Sequence, residues 1–267
     1  MMRAMPLPPT DLPVEDVIDE LRAALAGPGH AVLQAEPGAG KTTVVPLRLL
    51  AEPWLGDDRI VLLEPRRVAA RAAARRMASL LGEEPGQTVG WVTRDDRRVG
   101  PATRIEVVTE GVLTARLVND PSLAGVGLVV FDEFHERSLP GDTGLALALH
   151  SRRHHDLRAR LLVMSATIDG VAVAELLGTG APAPVISSVG RTHPVEINWR
   201  PRKRRDPLVP AVARAVDEAL RGHDDVLVFL PGVGEIRGAQ REITGRLGPD
   251  GPAVMPLHGS LPAAEQD

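Results

Sequence analysis

Short runs of apolar residues alternate with longer segments of helical periodicity along the first two thirds of the chain. The helical spacing is clearest in residues 66–81 and 142–150. The apolar runs occupy residues 30–35, 59–64, 103–109, 126–131, 160–165 and 183–188. Strands that are apolar on both faces and separated by helices are typical of a parallel sheet with helices on either side. The pattern therefore predicts an α/β fold built around a parallel sheet.

The composition changes near residues 189–207, where proline and arginine are frequent. Beyond this segment the pattern predicts helices at about 209–221 and 233–247 and strands at 225–230 and 253–257. A complete parallel domain needs at least about four strands, so this series predicts an unfinished one. The predicted organisation is a flexible leader at 1–13, a first domain at 14–190, a basic linker at 191–206 and an incomplete second domain at 207–267.

The composition is that of a globular chain, since 43% of its 267 residues are hydrophobic and 25% are charged. No apolar run approaches the roughly 20 residues that span a membrane, and the absence of cysteine excludes disulfides and thiolate chemistry. We therefore expect a cytoplasmic protein without a membrane partner. The net charge is −4, yet arginines cluster in stretches such as "EPRRVAARAAARR". Such clusters either line a groove for nucleic acid or face solvent on a helix.

A glycine-rich segment, "AEPGAGKTT" at residues 35–43, directly follows the first apolar run. Lys41 is one of two lysines among 31 basic residues, so this position favours a slim ammonium over a guanidinium. In a phosphate-binding loop the backbone surrounds the phosphates, the lysine reaches the β- and γ-phosphates and the next hydroxyl binds Mg²⁺. The predicted loop residues are Gly38, Ala39, Gly40, Lys41, Thr42 and Thr43. An ordinary strand–turn–helix junction would also use such glycines.

Two adjacent carboxylates open the segment "DEFHERS" at residues 132–138, directly after the apolar run "VGLVVF". Such a pair at the end of a buried strand is costly unless a cation or a proton accompanies it. With the glycine-rich loop on the same sheet edge, Asp132 is predicted to share Mg²⁺ with Thr42, and Glu133 to deprotonate the attacking water. The pair therefore indicates hydrolysis of Mg·ATP. Taken alone, it also fits a helix start with acidic residues in the first turn.

Seven stretches of the chain resemble the ordered motifs of superfamily 2 DEAH-type helicases, and their wording is similar to the bacterial HrpB type. They are "AEPGAGKTT", "EPRRVAARAAARRM", "VVTEGVLTARL", "FDEFHERS", "MSAT", "LVFLPG" and "PLHGSLPAAEQ". The resemblance runs from about residue 14 to the last residue. It implies a RecA-like ATP-binding domain, a second RecA-like domain and an ATP-dependent helicase activity on a single strand, with RNA as the expected nucleic acid.

The resemblance also implies roles for individual residues. Residues that would hold the strand by its phosphates and sugars are Arg66, Arg67, Thr109 and Gly111. Ser165 and Thr167 would transmit the state of the γ-phosphate to the strand, and His135 would link the catalytic residues Lys41 and Glu133 to the second domain. Simpler alternatives are a capped helix for the arginines, a strand-end turn for Ser165 and Thr167, and a core-facing His135.

The chain departs from the helicase pattern after "LHGSLPAAEQD", where nothing carries the arginines that the family's second domain supplies to the γ-phosphate. We therefore expect the front part of a helicase, with very slow turnover, and a carboxyl-terminal helicase segment on another chain as a partner. Two alternatives remain at this point. One is a P-loop kinase, and the other is a nucleotide-responsive RNA-binding module without hydrolysis.

Overall fold

The computed structural model describes residues 10–27, 29–166, 170–190, 194–201, 205–222, 225–262 and 265. The chain divides into two compact units, Met1–His193 and Pro194–Asp267. The predicted leader at 1–13 and the predicted linker at 191–206 lie partly outside the described residues. The four-part organisation therefore stays a prediction.

An eight-stranded sheet forms the centre of the first unit. Its strands are β1 His30–Ala35, β2 Arg59–Leu63, β3 Val89–Val92, β4 Arg97–Arg98, β5 Ile105–Val108, β6 Val126–Phe131, β7 Arg160–Ser165 and β8 Val185–Ser188. Their order across the sheet is β4-β3-β5-β2-β6-β7-β1-β8. All neighbours pair in parallel except β3 and β4. The predicted α/β fold with a parallel sheet is confirmed.

Helices cover both faces of this sheet. They are a 3-10 helix at Pro13–Val17, α1 Ile18–Ala26, α2 Lys41–Leu49, α3 Arg67–Leu80, α4 Glu110–Asn119, α5 Leu139–His154 and α6 Gly170–Leu177. Successive strand residues face opposite sides, so Leu33 packs in one core with α1, α2 and α3, whereas Val32 packs in the other with α4, α5 and α6. Burial on both faces explains why the strands read as continuous apolar runs.

All six apolar runs contain a strand, and both predicted helices, at 66–81 and 142–150, are present. The pattern did not predict the hairpin of β3 and β4. In that segment, the edge strand β4 consists only of the exposed Arg97 and Arg98, which carry no apolar periodicity. Hydrophobic runs therefore could not reveal β4, whereas β3 is a short buried apolar run that was not singled out.

The end of the predicted leader is packed against the first unit. Leu12 contacts the core formed with α1, α2 and α3, and the Thr10 hydroxyl donates to Glu15 Oε1 at 2.9 Å. The Val14 N–H donates to the carbonyl of Ala39 at 3.1 Å. Within the described residues, the end of the predicted leader therefore gains apolar contact through Leu12 and a hydrogen bond through Thr10.

The second unit contains two helices, α7 Leu208–Ala219 and α8 Val233–Leu247, where both were predicted. The strands predicted at 225–230 and 253–257 are absent from the described residues, which is a correction. A strand needs a hydrogen-bonded neighbour, and the alternating pattern alone does not supply one. Val226, Val228 and Leu230 pack on the helices, while the residues between them point outward.

The outward side of these two segments is apolar. Phe229 is 88% exposed, Leu227 77%, Met255 85% and Leu257 62%. Segments 225–230 and 253–257 therefore each expose large apolar side chains. Exposed apolar surface of this kind promotes association between copies of a chain.

We expect Phe229→Ser to reduce aggregation without unfolding the second unit, because the ring contributes little to burial. Ile243→Ser serves as the matched control, since Ile243 is 6% exposed and its loss should expose residues 205–262 to protease. Light scattering against concentration and limited proteolysis with mass spectrometry would measure the two effects. If the two variants showed the same light scattering and the same protease cleavage, the assignment of Phe229 to the surface and of Ile243 to the core would be contradicted.

Candidate nucleotide site

The loop between β1 and α2 has two glycines in the left-handed region, with φ of 82° at Gly38 and 94° at Gly40. α2 begins directly afterwards, at Lys41. A Cβ on Gly40 would lie 2.9 Å from Leu12 Cδ1, whereas one on Gly38 would meet no described atom within 4 Å. The loop is thus packed on one side and open on the other. The first N–H groups of α2 lack partners within the helix and suit an anion on the open side.

The two predicted metal ligands are in direct contact. The Thr42 hydroxyl, in the first turn of α2, donates to Asp132 Oδ2 at 2.5 Å. Asp132 directly follows β6, is buried and accepts from the Glu133 N–H through Oδ1 at 2.8 Å. Hydroxyl and carboxylate oxygens are ligands that Mg²⁺ prefers.

Lys41 connects the glycine-rich loop to the second acid of the pair. Its Nζ lies 3.0 Å from Glu133 Oε1, and the lysine side chain is 4% exposed against 25% for the glutamate. Glu133 has a φ of 49°, a left-handed conformation that is uncommon outside glycine. The structure therefore brings Lys41, Thr42, Asp132 and Glu133 together at one sheet edge.

Buried acids beside this site hold their protons more tightly than usual. Burial raises the pKa of Asp132 to about 6, although the Thr42 hydroxyl bond opposes the rise. Glu64, at the end of β2, is buried as well, and burial together with the charges of Asp132 and Glu133 raises its pKa to about 8. The site thus contains one more buried acidic group than the sequence predicted, and the raised pKa of Glu64 favours its neutral form near pH 7.

His135 and the segment after β7 adjoin the acid pair. His135 Nδ1 lies 3.3 Å from Glu133 Oε2 and 3.4 Å from the backbone nitrogen of Ala166. Ser165, the last residue of β7, is fully buried. Thr167, predicted to act with Ser165, lies outside the described residues. His135 is therefore next to the acid pair and to the segment predicted to sense phosphate.

The residues predicted to hold a nucleic acid lie apart from the glycine-rich loop, at the ends of β2 and β5. Arg66 forms an ion pair with Glu136, and Arg67 forms one with Asp95. Thr109 and Gly111 flank the start of α4 and line an open cavity of about 800 Å³ that also contains Arg94. Because β6 separates β2 from β7 and β1, the acid pair lies between these residues and the loop.

Four polar residues at or beside the site were not singled out from the sequence: Glu64, Glu110, Glu136 and Ser138. An acid directly after an apolar run was a usable signal for Glu64, because the same signal identified Asp132. The contacts of the other three join segments far apart in sequence. The Ser138 hydroxyl donates to Glu110 Oε1, and Glu136 pairs with Arg66.

The residues present fit a magnesium-bound nucleotide. The Thr42 hydroxyl and the Asp132 carboxylate offer two oxygen ligands in direct contact, and Lys41 supplies a cation directly after the glycine-rich loop. Among the residues that the structure describes, no group of three or more His, Asp or Glu side chains is arranged to hold a metal ion. Mg²⁺ is commonly held by one or two protein ligands together with phosphates and waters, which agrees with this arrangement.

We expect Glu64→Gln to stabilise the protein at pH 8 but not at pH 4.5. Folding raises the pKa of Glu64 from 4.5 to about 8, so folding takes up a proton between these values. Stability therefore falls as pH rises through this window, and glutamine removes that loss. Thermal unfolding in a chelating buffer without nucleotide should place the variant at least about 4 °C above the wild type at pH 8.

The matched control for this experiment is Glu84→Gln, whose side chain is 82% exposed. It should melt with the wild type at both pH values. A similar shift in both variants, or a shift at pH 4.5 as large as at pH 8, would contradict the buried, protonated state of Glu64.

Comparison with known proteins places this geometry in a family. A model of the DEAD/DEAH box helicase family matches residues 16–176. The chain is 47% identical to "ATP-dependent RNA helicase HrpB" of Escherichia coli (strain K12), over 96% of this chain and 31% of that protein. It is 34% identical to "ATP-dependent RNA helicase DHX33" of Homo sapiens, over 98% of this chain and 38% of that protein.

A crystal structure of Escherichia coli DEAH/RHA helicase HrpB superimposes with a TM-score of 0.86 at 47% identity, and the match covers 96% of this chain and 32% of that one. This chain therefore spans about a third of the length of these relatives. None of the helices in the described residues is long and apolar enough to cross a membrane. Since the family model covers more than half of the sequence, the chain belongs to the DEAD/DEAH box helicase family.

Proposed function

We propose that this chain binds Mg·ATP between the loop after β1 and the acid pair after β6, and hydrolyses it in response to single-stranded RNA, as the ATP-binding part of a helicase. The observation that carries the proposal is the convergence of four residues through two contacts. Lys41 Nζ lies 3.0 Å from Glu133, and Thr42 Oγ1 lies 2.5 Å from Asp132. The choice of ATP and RNA is supported by the names of the relatives.

Nucleotide binding begins with the rearrangement of one ion pair. Lys41 contacts Glu133, so the ammonium must leave this carboxylate when it turns to the β- and γ-phosphates. The backbone of Gly38, Ala39 and Gly40 and the first turn of α2, including Thr43, surround the phosphates. Thr42 and Asp132 would hold Mg²⁺, which would supply charge neutralisation for the phosphate oxygens.

Glu133, once separated from Lys41, becomes the base for the attacking water. Its carboxylate is a quarter exposed and therefore reaches solvent, unlike the buried Asp132. General base catalysis of this kind contributes on the order of 10² to 10⁴ to a rate. His135, next to Glu133 and Ala166, takes part in orienting the base.

The single strand lies across the ends of β2 and β5, where Arg66 and Arg67 take phosphates and Thr109 and Gly111 contact the backbone of the strand. Such contacts give affinity without reading sequence. Ser165 and Thr167 transmit the state of the γ-phosphate to the strand. Support comes from the strand order, because β6 and β7 lie between the nucleotide loop and β2.

The proposal also covers the location of the protein in the cell, the identity of its second unit and its partner. It places the protein in the cytoplasm and assigns the second unit to a second RecA-like domain, with a carboxyl-terminal helicase segment as its partner. Imaging of the tagged protein and co-purification from cells would test these points.

The test of this function is nucleotide hydrolysis measured with and without single-stranded RNA. We expect RNA to accelerate release of inorganic phosphate, and RNA to act better than DNA of the same sequence. Transfer of phosphate to a small molecule would instead indicate a kinase. Binding of Mg·ATP with no turnover in either condition would indicate a nucleotide-responsive module and would overturn the hydrolytic part of the proposal.

Lys41 and Glu133 should separate binding from chemistry. We expect Lys41→Ala to weaken Mg·ATP binding at least about tenfold, because the buried Lys41 ammonium is the group proposed to reach the β- and γ-phosphates. Glu133→Gln should bind within about twofold of the wild type while hydrolysis falls on the order of 10² or more. Titration calorimetry and phosphate release would measure the two quantities.

The matched variant is Lys41→Arg, which keeps the charge but changes its shape. If the site requires a slim ammonium, arginine should bind Mg·ATP nearly as weakly as alanine does. An equal loss of affinity in Lys41→Ala and Glu133→Gln would count against Glu133 as the base.

A further inference from the structure

Both segments that are proposed to hold the strand contact the segment that follows the acid pair. Arg66, after β2, pairs with Glu136, and Glu110, between Thr109 and Gly111, accepts a hydrogen bond from the Ser138 hydroxyl. Glu136 and Ser138 come three and five residues after Glu133. The proposed strand-binding loops are therefore joined to the turn that carries the proposed base.

This turn is short and has an unusual backbone. A single 3-10 turn, Phe134–Glu136, is bounded by Glu133 and Arg137, whose φ values are 49° and 46°. The Glu136 N–H donates to the carbonyl of Glu133 at 2.9 Å. Left-handed backbone at residues other than glycine persists only where the surroundings hold it. A displacement of Glu136 is consequently passed to Glu133 through one backbone hydrogen bond.

The two contacts differ in how easily they exchange. The Arg66 side chain is 70% exposed and that of Glu136 is 32% exposed, and ion pairs with this exposure contribute little to stability. A phosphodiester competes directly for the same guanidinium, because arginine binds phosphate with two parallel hydrogen bonds. The Arg66 pair is therefore one that a nucleic acid can replace.

The second contact is fixed more firmly. Ser138 caps α5, since its Oγ accepts from the Gly141 N–H at 2.9 Å. A Cβ at Gly141 would lie 2.9 Å from both Glu110 Oε1 and Ser138 Oγ, so the backbone approaches this hydrogen bond closely. Ser138, two residues after the turn, is thus anchored to α4 and α5. Glu136, the last residue of the turn, is held by an ion pair that can exchange.

We propose, on the basis of the proposed function, that Glu136 is a positioning residue that shares Arg66 with the nucleic acid. Without a strand, Arg66 binds Glu136 and holds the turn in the conformation seen here, with Glu133 against Lys41. A strand phosphate takes Arg66, Glu136 is released, and the turn moves Glu133 about the fixed point at Ser138. Strand binding and the position of the base are coupled in this way through one competing carboxylate.

The neighbouring ion pair provides a matched control within the same structure. Arg67 pairs with Asp95, and the two side chains are 61% and 60% exposed. Like the Arg66 pair, this is an ion pair between a guanidinium and a carboxylate. Both arginines belong to the residues proposed to bind the strand. Asp95, however, lies between β3 and β4, and β5 and β2 separate these strands from β6, which precedes the turn that carries Glu133. Removal of either carboxylate frees an arginine, but only removal of Glu136 frees the turn.

The experiment compares Glu136→Gln and Asp95→Asn with the wild-type chain in two measurements without nucleotide. Fluorescence anisotropy with a fluorescein-labelled oligouridylate measures strand affinity. Hydrogen exchange with mass spectrometry measures protection of the amides in 133–138, with and without the same oligonucleotide. Both variants should bind the oligonucleotide about two- to fivefold more tightly, because a competing carboxylate has been removed.

Hydrogen exchange distinguishes the two variants. In the wild type, we expect oligouridylate to accelerate exchange in 133–138. Glu136→Gln should show this faster exchange without the oligonucleotide and little further change on adding it, while Asp95→Asn should respond as the wild type does. Unchanged affinity in Glu136→Gln, or exchange that matches Asp95→Asn, would overturn the positioning role. A wild-type chain that binds no oligouridylate would overturn the proposed function itself.

Discussion

The position of β6 in the middle of a parallel sheet is the constraint on which the site depends. Parallel strands bring their carboxyl ends to one edge of the sheet. The order β5-β2-β6-β7-β1 therefore decides which of the segments after the strands are neighbours along that edge. The segment after β6 therefore has the arginine-bearing end of β2 on one side and Ser165 and the glycine-rich loop on the other. No single loop contains this arrangement, which exists only when the strands pair in this order.

Charge is concentrated where that order places it. Asp132, Glu133 and Glu64 lie at the ends of neighbouring strands, and two of them are buried. The Lys41 ammonium and the Thr42 hydroxyl offset part of the repulsion, and a proton on Glu64 offsets another part. The folded chain thus tolerates an acidic cluster, and a bound cation would lower its electrostatic cost further.

The sequence predicted those features that local pattern determines. Apolar runs located the six strands, and the unusual lysine located the loop, because both signals lie within a few residues. The ion pair between Arg66 and Glu136 joins positions 70 residues apart and depends on strand order, so no local pattern could predict it. The prediction of strands at 225–230 and 253–257 was wrong for a related reason. An alternating pattern predicts which face of a segment is buried, but it does not provide the neighbouring strand that a β-strand must pair with.

The contact of Leu12 and Val14 with Gly40 has a consequence for how the loop is specified. A Cβ at Gly40 would lie within 3.2 Å of atoms of both residues, so the loop conformation is shaped against side chains that precede α1. These residues carry no phosphate-binding chemistry and belong to no motif. A search for functional variation limited to motifs would pass over them, although a larger side chain at either position would press on the loop from behind. Side chains outside the motifs therefore help to set the conformation of the glycine-rich loop.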